Sequence, residues 1–422
     1  MSSPNWICCQ LGAREHYAIP RSLQQSGQLG ALITDAWVSP QSALKKLPLS
    51  ALSGLRDRYH PDLSTATVQA FTPSLLRFEI SQRLRRSPTD WDCMIARNRW
   101  FQKQAVRSLQ KLAPSLPKSS ILFSYSYAAI DLFRFAKQQG WTTVLGQMDP
   151  GKIEEQLVIE EYNRYPDIAF GWQKIPERYW QTWQQECQLA DHIIVNSDWS
   201  KNLLQQTGVS ADKLEIVPLV YQPPTAAAQF NRSYPKKFSR DRPLKVLFLG
   251  LVTLRKGIGP LLAAIQQLDG LPIELHIVGP LHIEVPEALK QHPQISWIGL
   301  VPRSQVARQY QQADVFIFPT ISDGFGLTQL EAQAWKLPII ASSHCGKVIT
   351  DQHNGLVLPE ISADAIAQTI RYCYQTPKVL SNYADRAIST DSFQIKDLSR
   401  RLNQVSLSAI DSTVTQNIQF IS

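Results

Sequence analysis

The chain has 422 residues, 44% of them hydrophobic and 18% charged, with a formal net charge of +8. That length exceeds one compact core and points to two domains. No apolar run reaches a membrane span, and the start MSSPNWICCQLG lacks the charged head and long apolar stretch of a secretory signal. The six cysteines (8, 9, 93, 187, 345 and 373) have no metal-ligand spacing, so reduced, buried thiols in a cytoplasmic protein are the simplest account. Residues 1–150 carry eighteen Lys and Arg against nine Asp and Glu; residues 151–422 carry twenty-five against twenty-six. The basic excess of the first part fits an anionic partner (a membrane surface, a phosphorylated lipid or an acidic glycan) and equally a solvated basic face.

In chain order, Trp6 to Leu11 reads as a strand, followed by the turn Gly12-Ala13-Arg14-Glu15-His16-Tyr17 and a helix to about Gln28. Ala31 to Val38 is a second strand. A glycine between strand and helix is the βα turn of a Rossmann-like half, but the dinucleotide pattern G-x-G-x-x-G is absent. His16 reads as structural. Residues 41–118 set Lys45, Lys46, Arg56, Arg58, Arg83, Arg85, Arg86, Arg97, Arg99, Lys103, Arg107 and Lys111 among Leu, Trp and Phe. At least one basic amphipathic helix is expected there, over about 94–112, with a face suited to anionic lipid. No recognition motif for nucleic acid accompanies the charge. Asp90-Trp91-Asp92 spells D-x-D without a strand before it, so no metal role is assigned to it.

Ile121 to Tyr127 and Thr142 to Gly146 read as strands around a helix over 128–139. The second strand ends in Gln147-Met148-Asp149-Pro150. Asp149 stands at the C-terminal end of a strand, where open α/β sheets bind ligands, but an Asp before Pro is also an ordinary turn former. A helix over 176–190, the strand His192 to Asn196, a helix over 199–207 and the strand Leu214 to Tyr221 follow. The Pro- and Ala-rich stretch 222–243 is a domain boundary.

A second α/β unit opens at Lys245 to Leu251. Thr253-Leu254-Arg255-Lys256-Gly257 leads into a helix over 258–269, placing two cations at a helix N-terminus. Glu274 to Gly279 and Ile295 to Leu300 are strands, with a helix over 303–312. Val315 to Phe318 is a buried strand, Asp323-Gly324-Phe325-Gly326 a turn open to close approach, and Leu327, Leu330 and Ala334 the apolar stripe of a helix. Glu331 shares that stripe, where a carboxylate needs a partner. Ile339 to Ser342 is a strand, His344-Cys345 reads as a loop pair, and helices over 361–375 and about 382–404 end the ordered chain. A loose tail follows from about 410.

The stretch DGFGLTQLEAQAWKLPII resembles the signature of retaining glycosyltransferases of the GT-B fold, family 4 (group 1) type. Asp323 and Glu331 match its two acids seven residues apart. The likeness runs from about Lys245 to Leu358, and more weakly over LADHIIVNSDWSKNLL and LEIVPL in the first half. It implies two Rossmann-like α/β domains with parallel sheets facing a central cleft: an acceptor-side domain over 1–225, a donor domain over 226–395, and a last helix and tail over 396–422 returning to the first domain. It also implies roles. Glu331 would hold the ribose. Asp323 and the main chain of Gly324, Phe325, Gly326, Leu327 and Thr328 would position the sugar and receive phosphates. Lys256, with Arg255, would neutralise the leaving diphosphate, and Leu300 and Val301 would lie beside the base. Gly12 and Arg14 are candidates on the first loop of the other domain. Where relatives carry a histidine near the reacting centre, this chain offers Asp149 or Gln147.

The sequence departs from that family in three further places. Asp323 replaces Glu, Leu251 occupies an Arg position, and Lys336 replaces a common Gly. The resemblance implies a retaining transfer from a nucleotide-diphosphate sugar to an acceptor hydroxyl of a glycan, lipid-linked or small-molecule acceptor, without metal or bound cofactor. A cytoplasmic enzyme, peripheral at the inner membrane face, would fit the charge; no nucleic acid is expected. The departures leave a second reading open, a catalytically silent GT-B-like protein that binds membrane or a partner. A nicotinamide oxidoreductase lacks its glycine pattern.

Overall fold

The computed structural model describes residues 5–42, 55, 58–84 and 89–405. Lys45, Lys46, Arg56, Arg85, Arg86 and the expected tail beyond 410 lie outside them. Two wholly parallel sheets organise the chain. The first contains β1 (Trp6–Gln10), β2 (Leu29–Thr34), β3 (Val68–Ala70), β4 (Ile121–Tyr125), β5 (Thr142–Gly146), β6 (His192–Val195) and β7 (Leu214–Ile216), ordered β3-β2-β1-β4-β5-β6-β7. The second contains β8 (Leu244–Leu249), β9 (Ile273–Val278), β10 (Ile295–Gly299), β11 (Val315–Phe318), β12 (Ile339–Ala341) and β13 (Gly355–Val357), ordered β10-β9-β8-β11-β12-β13. β1, β4, β6 and β11 are buried throughout, as parallel strands covered by helices on both faces must be.

The first domain's helices are α1 (Ala18–Gln25), α2 (Thr72–Leu84), α3 (Asp90–Leu112), α4 (Ile130–Gln138), α5 (Lys152–Arg164), α6 (Glu177–Leu189) and α7 (Asp198–Gln206). A short α8 (Thr225–Gln229) lies in the connection. The second domain adds α9 (Ile258–Gln266), α10 (Glu287–Lys290), α11 (Arg303–Gln312), α12 (Leu327–Ala334), α13 (Ala363–Gln375) and α14 (Pro377–Asp385). The helix over 395–405, α15, then packs Leu398, Leu402 and Val405 among Trp6, Ile19 and Leu32 of the first domain. The chain therefore passes between the domains twice. The two passages are joined where Tyr221 N donates to Phe393 O at 2.8 Å.

Some expected elements differ. α5 was not anticipated, because its inward face includes Glu155 and Glu161 beside Val158, which breaks the apolar stripe. β7 stops at Ile216, short of the expected Tyr221. The single helix expected over 382–404 is two helices, α14 and α15, with a turn of 3-10 helix (Thr390–Phe393) between them. Asp90 and Asp92 occupy the first turn of α3. There the Asp92 N–H bonds Thr89 Oγ1 at 3.1 Å and the Asp92 carboxylate pairs with Arg178.

Candidate active site

In each sheet the strand order reverses at one point, between β1 and β4 and between β8 and β11. A crevice opens beyond the strand ends at such a reversal, and ligands of open α/β sheets bind there. The loops leaving these four strands carry most of the candidate residues.

On the second domain, the loop after β8 ends in a turn of 3-10 helix, Leu254–Lys256, closed by Gly257 in the left-handed region at φ 74. A Cβ at Gly257 would sit 1.8 Å from the Pro319 carbonyl, so only glycine lets this turn lie against the loop after β11. The result brings Lys256 onto the Asp323 carboxylate. Both side chains are largely buried, at 15% and 14% exposure. Burial pulls the Lys256 ammonium down to about 7, with Arg255 acting the same way and Glu154 opposing. Contact with the Asp323 carboxylate favours the charged form. Asp323 is held further by its own N–H on His344 O at 3.0 Å, and its Oδ1 accepts from Phe325 N at 3.1 Å. Gly326, at φ 84, then opens α12, whose N-terminus carries the positive end of the helix dipole. The Phe325 ring is buried against Gly346, so only its main chain faces the site.

Glu331 lies one turn into α12, and its Oε2 accepts from Tyr310 Oη at 2.7 Å. Burial raises its pKa, while the Tyr310 bond and the Arg303 charge lower it. The partner this half-buried carboxylate requires is thus a tyrosine from α11. Leu300 is 78% exposed just past β10, and Val301 is half-buried. Leu251, in the position of the family's arginine, is 39% exposed. Lys336 adopts φ 52, the left-handed conformation that ends α12, which accounts for the glycine usual in the family.

The two domains meet at this site. A Cβ on Gly324 would sit 2.0 Å from the Met148 carbonyl of the loop after β5. Trp199 of α7 donates to Ser322 Oγ at 3.0 Å and stacks on His344, with ring centroids 3.9 Å apart. His344 Nδ1 is 2.9 Å from Ile321 O, and burial pushes the Cys345 thiol up to about 12. The His344–Cys345 pair is therefore inter-domain packing with a protonated thiol.

On the first domain, Asp149 Oδ1 accepts from Tyr127 Oη at 2.6 Å, Gln147 Nε2 at 3.0 Å and Gly151 N at 2.9 Å. Gln147 also accepts from Trp183 Nε1 at 2.9 Å. These bonds tie Gln147 and one carboxylate oxygen of Asp149 to the turn that carries Met148. Gly12 donates to Asp35 at 3.0 Å and lies against Arg58. Arg14 lies over the Tyr125 ring and reaches the Met148 sulfur. Glu15, His16 and Tyr17 all take positive φ, 50, 50 and 60, a run rare outside glycine. His16 Nε2 lies 3.3 Å from Arg303 across the crevice.

Sequence reasoning missed Glu154, in the first turn of α5. It is 3.7 Å from Arg255, and its Oε2 has no hydrogen-bond partner. Burial raises its pKa, and Arg255 is the leading opposing influence. Arg255 also donates to Ser322 O at 2.9 Å. Both basic side chains of the 255–256 pair are thus met by carboxylates, one from each domain. The signal for Glu154 was missed with α5 itself. Among the described residues, no group of three or more His, Cys, Asp and Glu could hold a metal ion.

Residues 243–376 match the family model described as Glycosyl transferases group 1. The chain is 26% identical over 184 residues to the amylovoran biosynthesis glycosyltransferase AmsK of Erwinia amylovora. That alignment covers 40% of this chain and 44% of the relative, so the chain spans about half the length of the curated relatives it matches. Among solved structures, sucrose-phosphate synthase of Thermosynechococcus elongatus is similar over 97% of this chain and 100% of its own, at 16% identity and TM-score 0.64. HepE of Anabaena in complex with UDP is similar over 96% and 100%, at 12% identity and TM-score 0.58. These likenesses show the fold, two Rossmann-like domains in the GT-B arrangement.

Proposed function

We propose that this chain, whose second domain is a group 1 glycosyltransferase domain in a GT-B fold, moves a sugar from a nucleotide-diphosphate donor to an acceptor hydroxyl with retention at the anomeric carbon. The observation that carries the reading is the cluster of Lys256, Asp323 and Glu331 around the Gly324–Gly326 turn, at the strand-order reversal and against the other domain. Glu331 receives the ribose hydroxyls. Lys256 and the α12 N-terminus face the diphosphate, where positive charge offsets what develops as the leaving group departs. Asp323 and the main chain from Gly324 to Thr328 place the sugar. The acceptor oxygen bonds to the anomeric carbon, the bond from that carbon to the diphosphate oxygen breaks, and the acceptor proton passes to the departing phosphate. The cations and helix end serve this step without a metal, so donor binding is expected to survive chelation. A part in glycan, polysaccharide or glycolipid synthesis is supported by the named role of AmsK.

Two observations favour a second reading, a GT-B protein that binds donor or partner without turnover. Leu251 offers no charge where the family has an arginine, and Arg255 is engaged by Ser322 and Glu154. A panel of UDP-, GDP- and ADP-sugars in thermal-shift assays, repeated with chelator and on Glu331→Ala and Lys256→Ala, separates these readings. A donor at 100 times its Kd stabilises by about 2.7 kcal/mol. A shift lost in both variants, with product mass from an acceptor screen, supports the enzyme. A shift without any transfer supports the silent protein. No shift with any nucleotide, in folded protein, refutes the enzyme and leaves only a silent protein that binds membrane or a partner.

A further inference from the structure

The first sheet has its own order reversal, and a cavity of about 490 Å³ lies beside it. It is bounded by the loops after β1 and β4 and by α2 and α3. That volume suits a small-molecule ligand. Its lining is chemically biased. Three guanidinium groups, Arg14, Arg83 and Arg97, border it against one carboxylate, Glu79. Arg97 bonds Asp35 at 3.3 Å, but Asp35 is already shared with Arg58 at 3.1 Å, so the acid behind the cavity does not cancel the charge in front.

Two polar atoms beside the cavity make no hydrogen bond among the described residues. Ser126 is 3% exposed and its Oγ makes no hydrogen bond; Arg97 Nε is buried, with Glu79 at 3.7 Å, too far for one. Both atoms are closed to solvent and lie behind the wall, so the groups that face the cavity as donors are the terminal guanidinium nitrogens. Arg14 then links the cavity to the crevice: it borders the cavity and touches Met148, whose carbonyl abuts Gly324 of the donor loop.

We infer that this cavity receives the sugar acceptor and that the acceptor bears an anionic group, phosphate or carboxylate, beside the hydroxyl that is glycosylated. Arg97 and Arg83 hold the anion, and the hydroxyl points past Arg14 to the Met148–Gly324 junction. The inference rests on the transferase reading above and adds the acceptor's chemical class. The anion can belong to a soluble phosphorylated or uronic sugar or to a lipid head group; the recognition chemistry is the same.

The test measures binding of glycerol 3-phosphate, glucose 6-phosphate and galacturonate against glycerol, glucose and galactose by calorimetry. The samples are wild type, Arg97→Gln and Arg83→Gln, each also titrated with UDP and GDP. Arg83 is exposed, so its variant keeps the test valid if loss of Arg97 beside Asp35 disturbs folding. Cosedimentation with phosphatidylglycerol and with phosphatidylcholine vesicles reports the lipid source. We expect at least one anionic compound, or the anionic vesicles alone, to bind tenfold or more tightly than its neutral counterpart. That preference should fall in both variants while nucleotide binding persists. Nucleotide binding without any anion preference, or a preference untouched by both variants, overturns the acceptor assignment and leaves the transferase reading standing. Anion binding without nucleotide binding overturns both.

Discussion

Gly324→Ala is the sharpest probe of the contact between domains. The backbone at Gly324 lies outside the left-handed region, so alanine can adopt it without strain. The added methyl instead meets the Met148 carbonyl at 2.0 Å, with the Met148 carbonyl carbon at 3.1 Å and the Asp149 Cα at 3.8 Å. Ordinary contact begins near 3.4 Å, so the loops must part by about 1.4 Å. All three neighbours are main-chain atoms, which cannot turn aside as a flexible side chain would. Over-packing of this kind costs about 1–3 kcal/mol. The cost falls only on the state in which the domains touch, because the methyl meets no atom of its own domain within 4 Å among its three nearest neighbours. Closure, and with it kcat/KM, is expected to drop roughly 5- to 150-fold. The melting temperature should stay within about 2 °C, and small-angle scattering should report a larger radius of gyration. Wild-type kinetics with unchanged scattering would refute the claim that this contact belongs to the working state.

Five further outcomes are expected. Glu331→Ala removes a charged hydrogen bond worth about 1.5–3 kcal/mol, so donor Kd measured by calorimetry should rise tenfold or more. Glu331 has a raised pKa, so its stability contribution is present at low pH and lost as pH rises through the raised value; donor affinity, which needs the carboxylate, runs the opposite way and falls as pH drops through the same window. Tyr310→Phe removes a bond that lowers this pKa, so the acid limb of donor binding should move to higher pH. Lys256→Met strands the Asp323 carboxylate at a cost of about 3–5 kcal/mol in urea unfolding, and pairing it with Asp323→Asn should recover most of that loss. Lys336→Gly relieves a left-handed residue, a strain of about 1–2 kcal/mol partly offset by glycine's entropy, so it should stabilise by up to about 1 kcal/mol without changing donor affinity.

The second domain was the more legible half, for a physical reason. Its strands are short apolar runs, and its turns use glycines where backbones meet, as Gly257 meets Pro319 and Gly324 meets Met148. Such constraints leave few residue choices and are visible in one sequence. The partners of those residues were not visible. Tyr310 on Glu331 and Glu154 on Arg255 come from elements distant in the chain, and nothing in local spacing ties them together. α5 escaped notice because carboxylates occupy its inner face. Residues 41–118 were unreadable as function for a related reason. Their basic residues mix two roles, with Arg58 and Arg97 turned inward onto Asp35 while Arg83 stays exposed at the cavity rim. Composition counts these arginines alike.

The return of α15 to the first domain limits how the two halves can move. A single connection would leave the donor domain free to swivel as well as to swing. Two passages pinned to each other at Tyr221 and Phe393 tie the domains together at one place, where a hinge is expected. Rotation there would open or shut the crevice, whereas twisting would stretch one passage, so the path of the chain is expected to return Met148 and Gly324 to the same register. Cutting the chain before α15 removes three core side chains, Leu398, Leu402 and Val405, from the opposite domain and frees the hinge in the same stroke.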